Sequence, residues 1–242
     1  MTIKTIARGT ILLVLSSFLS CLQSTAQDNA VKLDVFNSII GNYSLGYERV
    51  LNEKQSINLY VAFMPEKNLF PFGSNAFDLS ADPDLTDRIS GFSVSPEYRF
   101  YFGQDVRKSP RGFYVAPYFR ISDYKLKLND SYQGHNTLVD CSLFTTGVGA
   151  QLGAHWVFND WFSLDWQFFG LGVDRHDLKL DYSSKEEGVD YNGYGASVKK
   201  NNDDIPFFGS KITTEYGDDY VKSHAKIIFP GVRGRVTLGI AF

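Results

Sequence analysis

Nine charged side chains occupy the polar positions of segments in which apolar and polar residues alternate. They are Lys32, Asp34, Glu48, Glu97, Arg99, Arg120, Asp165, Arg233 and Arg235. Alternate residues of a β-strand point to opposite faces, so each of these charges backs onto an apolar face. Charges withdrawn from water must be paired and hydrogen-bonded. The set holds five cations and four anions, which favours a structural ion-pair network over an ion path or a proton relay.

Two members of this set, Arg233 and Arg235, lie in the last segment of the chain and need partners from other segments. We expect them to pair with carboxylates of the same set, namely Asp34, Glu48, Glu97 or Asp165. His155 alternates in the same way and is expected to be a hydrogen-bonding residue of the same interior.

A second group of residues has the types needed for acyl-transfer chemistry. The candidates are His135, His176 and His224, with Ser131, Ser183, Ser184 and Ser223 near them. A serine nucleophile needs a base within hydrogen-bond reach and a third group that orients the base. No spacing in the sequence enforces that arrangement, so we expect no catalytic site and keep a lipid-modifying enzyme as an alternative.

The sequence contains little that predicts a metal or cofactor site. Acidic residues cluster at Asp78, Asp82, Asp84 and Asp87 and again at Asp218 and Asp219. Carboxylates suit Ca²⁺, but this spacing matches no EF-hand loop, and we expect solvated turn residues. Beyond residue 26 the only cysteine is Cys141, which excludes an intramolecular disulfide and a cysteine metal cluster in that part of the chain. We therefore expect no metal and no cofactor.

Eight segments must position these residues, because each alternates with a period of two. They cover residues 31–40, 43–50, 55–63, 91–102, 113–128, 141–158, 161–173 and 231–242. No segment with a helical period competes with them. No apolar run after the first 26 residues is long enough for a transmembrane helix. The sequence therefore predicts an all-β fold.

The connections between these segments are sorted by length. The second, fourth and sixth are short, whereas the third, fifth and seventh are long or fairly long. In an up-and-down sheet, odd and even connections lie at opposite ends, and this sorting is typical of outer-membrane barrels. Residues 124–129 and 177–182 extend two strands beyond a bilayer, and residues 211–224 return beside them. We expect a protruding β-sheet with a disordered tip at residues 191–204.

Aromatic residues gather at the strand ends beside the short turns. They are Phe100, Phe102, Phe113, Trp156, Phe158, Trp161 and Phe162. Such clusters are typical of the aromatic girdle at a membrane interface. The last segment ends with Ile240 and Phe242 on its apolar face, and we expect these two residues to act as an assembly signal.

The first 26 residues have the features of a signal peptide. Lys4 and Arg8 precede an apolar stretch at residues 10–20, and small residues at 24–26 predict cleavage before Gln27. Acylation of Cys21 as a lipoprotein is the alternative. Removal of the two basic residues moves the net charge from -3 to -5, because residues 1–26 contain no acid. An acidic mature chain argues against nucleic-acid binding.

Several short stretches resemble the small outer-membrane β-barrel proteins of the Bacteroidota, among them a family of unknown function. The stretches are residues 32–37, residues 45–51, residues 56–60 and residues 96–101, the last of which reads Pro-Glu-Tyr-Arg-Phe-Tyr. The architecture is similar to that of OmpA- and OmpX-type barrels, and likeness of fold alone implies no activity. The resemblance implies that barrel-assembly machinery recognises the last strand.

These observations predict an eight-stranded antiparallel up-and-down transmembrane β-barrel at residues 27–242, with strands extended on the extracellular side. Both termini would be periplasmic. The expected role is structural or adhesive, through long extracellular loops. The expected partners are membrane lipid, lipopolysaccharide and the assembly machinery, with an extracellular partner that the sequence does not name. A soluble lipocalin-like ligand carrier is the other alternative, because alternation alone does not say which face is inside.

Overall fold

The computed structural model of the chain describes residues 28–68, 87–102, 111–184, 188–205 and 209–242. The predicted signal peptide of residues 1–26, including Cys21, lies outside the described residues. The acidic residues Asp78, Asp82 and Asp84 of the third connection also lie outside them.

Nine antiparallel strands make up most of the described chain. They are β1 (Asn29–Asp34), β2 (Tyr43–Asn52), β3 (Gln55–Asn68), β4 (Arg88–Phe102), β5 (Gly112–Tyr132), β6 (His135–Phe158), β7 (Phe162–Ser184), β8 (Ile212–Tyr216) and β9 (Val221–Ala241). Two α-helices, α1 (Val35–Ile39) and α2 (Tyr191–Asp203), and a 3-10 turn at Gly209–Lys211 accompany them. The predicted all-β, antiparallel fold is confirmed.

The sheet closes on itself. From β1 to β7 each strand pairs with the next, β7 then pairs with β9, and β9 returns to β1. Eight strands therefore form the ring, and β8 lies outside it, paired with β9. The closing register sets Val31 opposite Ile240 and Leu33 opposite Leu238. In an open sheet, the outer backbone N–H and C=O groups of the first and last strands would have no hydrogen-bond partner. Closure of the ring pairs these groups with each other.

The ring is polar inside and apolar outside. On β2 the side chains of Ser44 and Glu48 are buried, whereas Leu45 between them is 56% exposed. On β3 Asn58 is buried while its neighbour Leu59 is exposed. The same alternation continues around the ring, so the apolar face that a water-soluble barrel would bury faces outward.

A β-bulge in β7 changes which of its residues face the interior. Opposite β6, Gln167 and Phe169 pair with consecutive residues, so Phe168 is extra, and the register with β9 shifts between Gln167 and Gly170. Phe168 and Phe169 are consequently both exposed. Beyond the bulge the inward positions have changed parity, and Asp174 is buried inside the barrel.

Four ring strands continue far beyond their neighbours. β6 has 24 residues and β2 has 10, which correspond to roughly 80 Å and 33 Å of strand. The long strands β5, β6, β7 and β9 thus form a sheet that projects from one end of the ring, as the extended segments predicted. The prediction of a fairly long fifth connection at residues 129–139 is wrong. β5 and β6 meet in a two-residue turn at Gln133 and Gly134, both with positive φ.

The predicted disorder at residues 191–204 is also wrong, because this segment forms α2. Its helix begins after Asp190, whose side chain accepts a hydrogen bond from the backbone N–H of Gly193. Tyr194 and Val198 lie four residues apart on the buried face and pack against Val221 of β9. Burial raises the pKa of the Tyr194 phenol, so this group stays neutral while it donates to Asp130 at 2.8 Å. Burial of the aromatic face stabilises a segment whose composition is that of a loop.

The first strand ends earlier than predicted. The predicted segment extends to Ile40, but β1 stops at Asp34, whose Oδ1 accepts from the backbone N–H of Asn37 at 3.0 Å and caps α1. The expectation that the mature chain contains no helical segment is therefore wrong for both α1 and α2. In the described part of the chain, neither helix has the length and apolar character needed to cross a bilayer.

Candidate functional site: the charged barrel interior

Four buried charges meet at the centre of the ring, and we call Lys32, Glu48, Arg99 and Asp165 the central cluster. They come from β1, β2, β4 and β7, which are spread around the ring, and each occupies an inward position of its strand. Each residue is at most 2% exposed. The local alternation directs each side chain inward, and ring closure brings the four together.

Cations and anions alternate within the central cluster. Lys32 Nζ contacts a Glu48 carboxylate oxygen and lies 2.6 Å from Asp165 Oδ2. Arg99 Nη1 lies 2.6 Å from Asp165 Oδ2 and 3.1 Å from Glu48 Oε2. Each cation therefore bridges the same two carboxylates. Removing one partner of such a buried pair typically destabilises a protein by about 3–5 kcal/mol.

Hydroxyl groups complete the hydrogen bonding of the two carboxylates. Tyr101 donates to Glu48 Oε1 at 2.6 Å, Tyr114 donates to Asp165 Oδ1 at 2.8 Å, and Ser56 also donates to Glu48. These three residues were not among the site residues predicted from the sequence. Their signal was present, because they too occupy polar-face positions and carry donors that a buried carboxylate requires.

A chain of further ion pairs extends from the central cluster. Arg99 Nη2 lies 2.9 Å from Glu97 Oε2, and Arg235 Nη1 lies 3.3 Å from Glu97 Oε1. Arg235 Nε then lies 3.3 Å from Asp34 Oδ2. Seven of the nine charged residues predicted from the sequence thus form one connected network. Arg235 contacts two of the four carboxylates expected for it.

The remaining two arginines of the set stand apart from this network. The expected pairing of Arg233 with Asp34, Glu48, Glu97 or Asp165 is wrong: its Nη2 lies 3.5 Å from Asp174 Oδ1, and its guanidinium stacks on Tyr118. The bulge in β7 explains the difference, since it turns Asp174 inward. Arg120 has no carboxylate within 4 Å among the described residues.

One group of interior residues has the composition of a metal site. Glu48, His155 and Asp165 are buried, and each offers a ligand atom within 4.8 Å of the others. Both carboxylates, however, already contact Lys32 and Arg99. A divalent cation would have to enter a space that two cations neutralise, so this arrangement favours an ion-pair cluster over a metal centre.

His155 occupies the interior position expected for it. Its Nδ1 lies 3.5 Å from both Glu48 Oε2 and the Tyr101 hydroxyl. Two of the acidic loop residues within the described chain have protein partners. Asp87 accepts from the backbone N–H of Asn129 at 2.9 Å, and Asp218 accepts from the side chain of Asn192 at 2.8 Å.

The histidines considered for acyl transfer lie on the projecting sheet. His176 Nδ1 lies 2.9 Å from Thr145 Oγ1, and His224 Nε2 lies 2.9 Å from Asp177 Oδ1. His135 begins β6 at the far turn. These contacts bring His176 to a threonine and His224 to a carboxylate, and neither histidine to a predicted serine.

The serines of that hypothesis have other surroundings. Ser223 is buried and lies 3.0 Å from Thr214 Oγ1, while Ser184 donates to the carbonyl of Asn136 at 2.8 Å. Ser183 is exposed, opposite Leu138 of β6. The side chain of Ser131 lies outside the described part of the structure. Among the side chains that the structure describes, none of these serines hydrogen-bonds to His176 or His224.

The two residues predicted to form an assembly signal lie where the ring closes. Ile240 is exposed on the outer face, opposite Val31 of β1 and Phe162 of β7. Phe242 exchanges two backbone hydrogen bonds with Asn29, at 2.9 Å and 3.0 Å. Their role in assembly stays a prediction.

The fold and its interior define a closed antiparallel β-barrel with an ion-paired lumen and an apolar outer surface. A family described as "Protein of unknown function (DUF3575)" matches residues 11–197. This match covers more than half of the chain, so the chain belongs to that family. No curated protein and no solved structure was found to match it.

Proposed function

We propose that this chain is an integral outer-membrane β-barrel with an interior filled by its own side chains. Its role is structural or one of surface interaction, through the sheet that projects from the ring. The observation that carries this proposal is the combination of an apolar outer surface with a charged, ion-paired interior. That combination suits a lipid environment and is unfavourable for a barrel surrounded by water.

The continuity of the outer apolar surface, along the strands and around the ring, supports a lipid-facing surface. On β3 the exposed residues Ile57, Leu59, Val61 and Phe63 follow one another at every second position. Six residue steps correspond to roughly 20 Å along a strand, and because barrel strands are tilted this row covers part of the apolar band of about 25 Å found on outer-membrane barrels. Leu45 on β2 and Leu171 and Val173 on β7 continue this surface around the ring.

A closed interior follows from the ring size and its contents. Eight strands enclose a space just wide enough for side chains to fill. Here the central cluster and its tyrosines occupy the middle of that space. This arrangement supports a barrel that does not pass solutes, and it leaves the projecting sheet as the part available for interactions.

The arrangement of the connections supports an orientation. The two-residue β2–β3 turn and the backbone bonds between Asn29 and Phe242 lie at one end of the ring. The long strands, β8 and α2 lie at the other end. Export through the predicted signal peptide would leave the first end in the periplasm and the projecting sheet outside the cell.

A pair of substitutions tests membrane insertion. Leu59→Arg places a charge in the middle of the apolar surface and should lower the stability of the lipid-folded barrel by about 2–4 kcal/mol. Tyr220→Arg, at an exposed residue of the projecting part, is the matched control and should change stability little. Urea unfolding in lipid vesicles measures both, after cell fractionation locates the wild-type protein.

The expected location of the wild-type protein is the outer-membrane fraction, from which only detergent extracts it. Recovery of the folded protein in the aqueous fraction without detergent would contradict the proposal. Equal stability of the two arginine variants would also contradict it, because both substituted side chains would face solvent on a barrel in water.

A further inference from the structure

A polar cavity of about 230 Å³ lies on the projecting-sheet side of the central cluster. Arg120, Arg233 and Arg235 line it together, and we call it the arginine cavity. Asn42 and Gln167 contribute amide groups to the same wall. The volume corresponds to several water molecules at roughly 30 Å³ each, which is enough for a small polyatomic ion with part of its hydration shell.

The three arginines of this cavity differ in how far their charges are neutralised. Arg235 is held between Asp34 and Glu97. Arg233 has one carboxylate, Asp174, at 3.5 Å, and its Nε and Nη2 atoms are buried without a hydrogen-bond partner among the described residues. Arg120 has no carboxylate within 4 Å in the described chain. Arg120 and Arg233 therefore retain donors that no described protein group uses.

The charged residues that line the cavity are all arginines. Arg233 is repelled by the positive charges of both Arg120 and Arg235. Repulsion between like charges is stronger in a protein interior than in water, because the effective dielectric constant is lower. A bound anion would remove this repulsion and would accept the unused guanidinium N–H groups.

Neutral groups in the wall leave room for further hydrogen bonds. The side-chain oxygens of Asn42 and Gln167 are buried and have no partner among the described residues. The two ends of an amide group have nearly the same shape, so a half-turn about the last side-chain bond presents the NH₂ group instead. Both amides can therefore donate to an anion that enters the cavity.

The barrel wall beside the cavity lacks a strand on one side. β9 pairs with β1 from Thr237 to Ala241 and with β8 from Val221 to Ala225. Between these stretches its ladder partners are on β7 alone. The short helix α1 lies beside β9 in place of a strand. The cavity thus borders both the end of the ring with the projecting sheet and a stretch of wall that is closed by a helix.

We propose that the arginine cavity binds an oxyanion, a phosphate group held by Arg120 and Arg233. Guanidinium groups bind phosphate through two parallel N–H···O bonds and stay charged at all relevant pH values. The phosphate comes either from the aqueous medium, as a free ion, or from a lipid headgroup beside β9. The central cluster takes no part in binding, because its cations already have two carboxylates each.

The test uses the full chain, folded in detergent, and titrates it with inorganic phosphate by calorimetry. Arg120→Gln and Arg233→Gln should each weaken binding about tenfold or more, since each removes a charged donor. Arg88→Gln is the control, because Arg88 is exposed and paired with Glu66 at 3.0 Å, away from the cavity. A change in the electrophoretic mobility of the unheated protein identifies any variant that fails to fold.

A second arm distinguishes the two sources of phosphate. Wild type and variants in nanodiscs that contain phosphatidic acid, or its phosphate-free diacylglycerol counterpart, are examined by native mass spectrometry for retained lipid. Binding of inorganic phosphate supports the free ion as ligand, and retention of phosphatidic acid alone supports the lipid. The proposal is overturned if wild type binds neither, or if both arginine variants bind as wild type does.

Discussion

The central cluster and the arginine cavity are neighbours in one barrel, yet their charges differ in how completely they are paired. In the central cluster Lys32 and Arg99 each contact both Glu48 and Asp165. In the cavity Arg120 has no carboxylate within 4 Å among the described residues. The charges of both regions occupy inward positions of ring strands, on β1, β2, β4 and β7 for the cluster and on β5 and β9 for the arginines of the cavity, so alternation alone does not distinguish the two regions.

This difference separates structural charges from charges available to a ligand. A fully paired, fully buried cluster gains little from a further ion and loses much when one member is removed. Incompletely paired cations beside a cavity have the opposite properties: their removal costs little, and a ligand can satisfy them. Substitutions in the two regions test this distinction by their effects on stability and on phosphate binding.

The largest effect is expected for Arg99→Met in the central cluster. This change leaves Glu48, Glu97 and Asp165 with fewer cationic partners and should lower the free energy of unfolding by about 3–5 kcal/mol. Urea unfolding in detergent micelles provides the measurement. Arg88→Met is the control, and this exposed pair with Glu66 should contribute at most about 1 kcal/mol. Similar losses for both variants would contradict the role assigned to the cluster.

An intermediate effect is expected for Tyr101→Phe, which keeps the ring and removes one donor from Glu48. A hydrogen bond to a charged group contributes about 1.5–3 kcal/mol, and the loss should fall in that range. Tyr98→Phe removes a hydroxyl that donates to Gln55 at 3.0 Å. This neutral and partly buried bond should contribute no more than about 1.5 kcal/mol. The prediction fails if Tyr98→Phe is the more destabilising of the two.

The smallest effect is expected for Arg120→Gln, which should change the free energy of unfolding by no more than about 0.5 kcal/mol without phosphate. Phosphate at a hundred times its dissociation constant should stabilise wild type by about 2.7 kcal/mol. The variant should gain much less at the same concentration. A loss as large as that of Arg99→Met would show that Arg120 is structural and would remove the contrast between the two regions.

Much of the ring could be predicted because a period of two is a local property. The alternation of Leu45 with Glu48 on β2 and of Leu59 with Asn58 on β3 assigns each residue to one of two faces. The seven connected charges were found in this way, because each falls on the polar face of its strand. Strand order followed from the short turns, which constrain the chain to pair with its nearest neighbour.

The errors lie where a side chain or a distant contact overrides the local pattern. The Asp34 carboxylate caps α1, so β1 ends within the segment 31–40 that was predicted as one strand. The composition of residues 191–204 is that of a loop, but Tyr194 and Val198 pack on an apolar surface formed by Tyr132 of β5, Tyr182 of β7 and Val221 of β9, which no local window contains. Such tertiary burial outweighs weak helix propensity.

The local pattern of residues assigns two faces to each strand and predicts the antiparallel order and the charged set. Which face lies inside depends on the tertiary structure, because a sheet can close into a ring with either face inward. It also decided how the charges are matched. One extra residue at Phe168 turns Asp174 toward Arg233, and ring closure brings Lys32 of β1 against Asp165 of β7. Pairing is a matter of distance between strands, and that distance is set by the closed sheet.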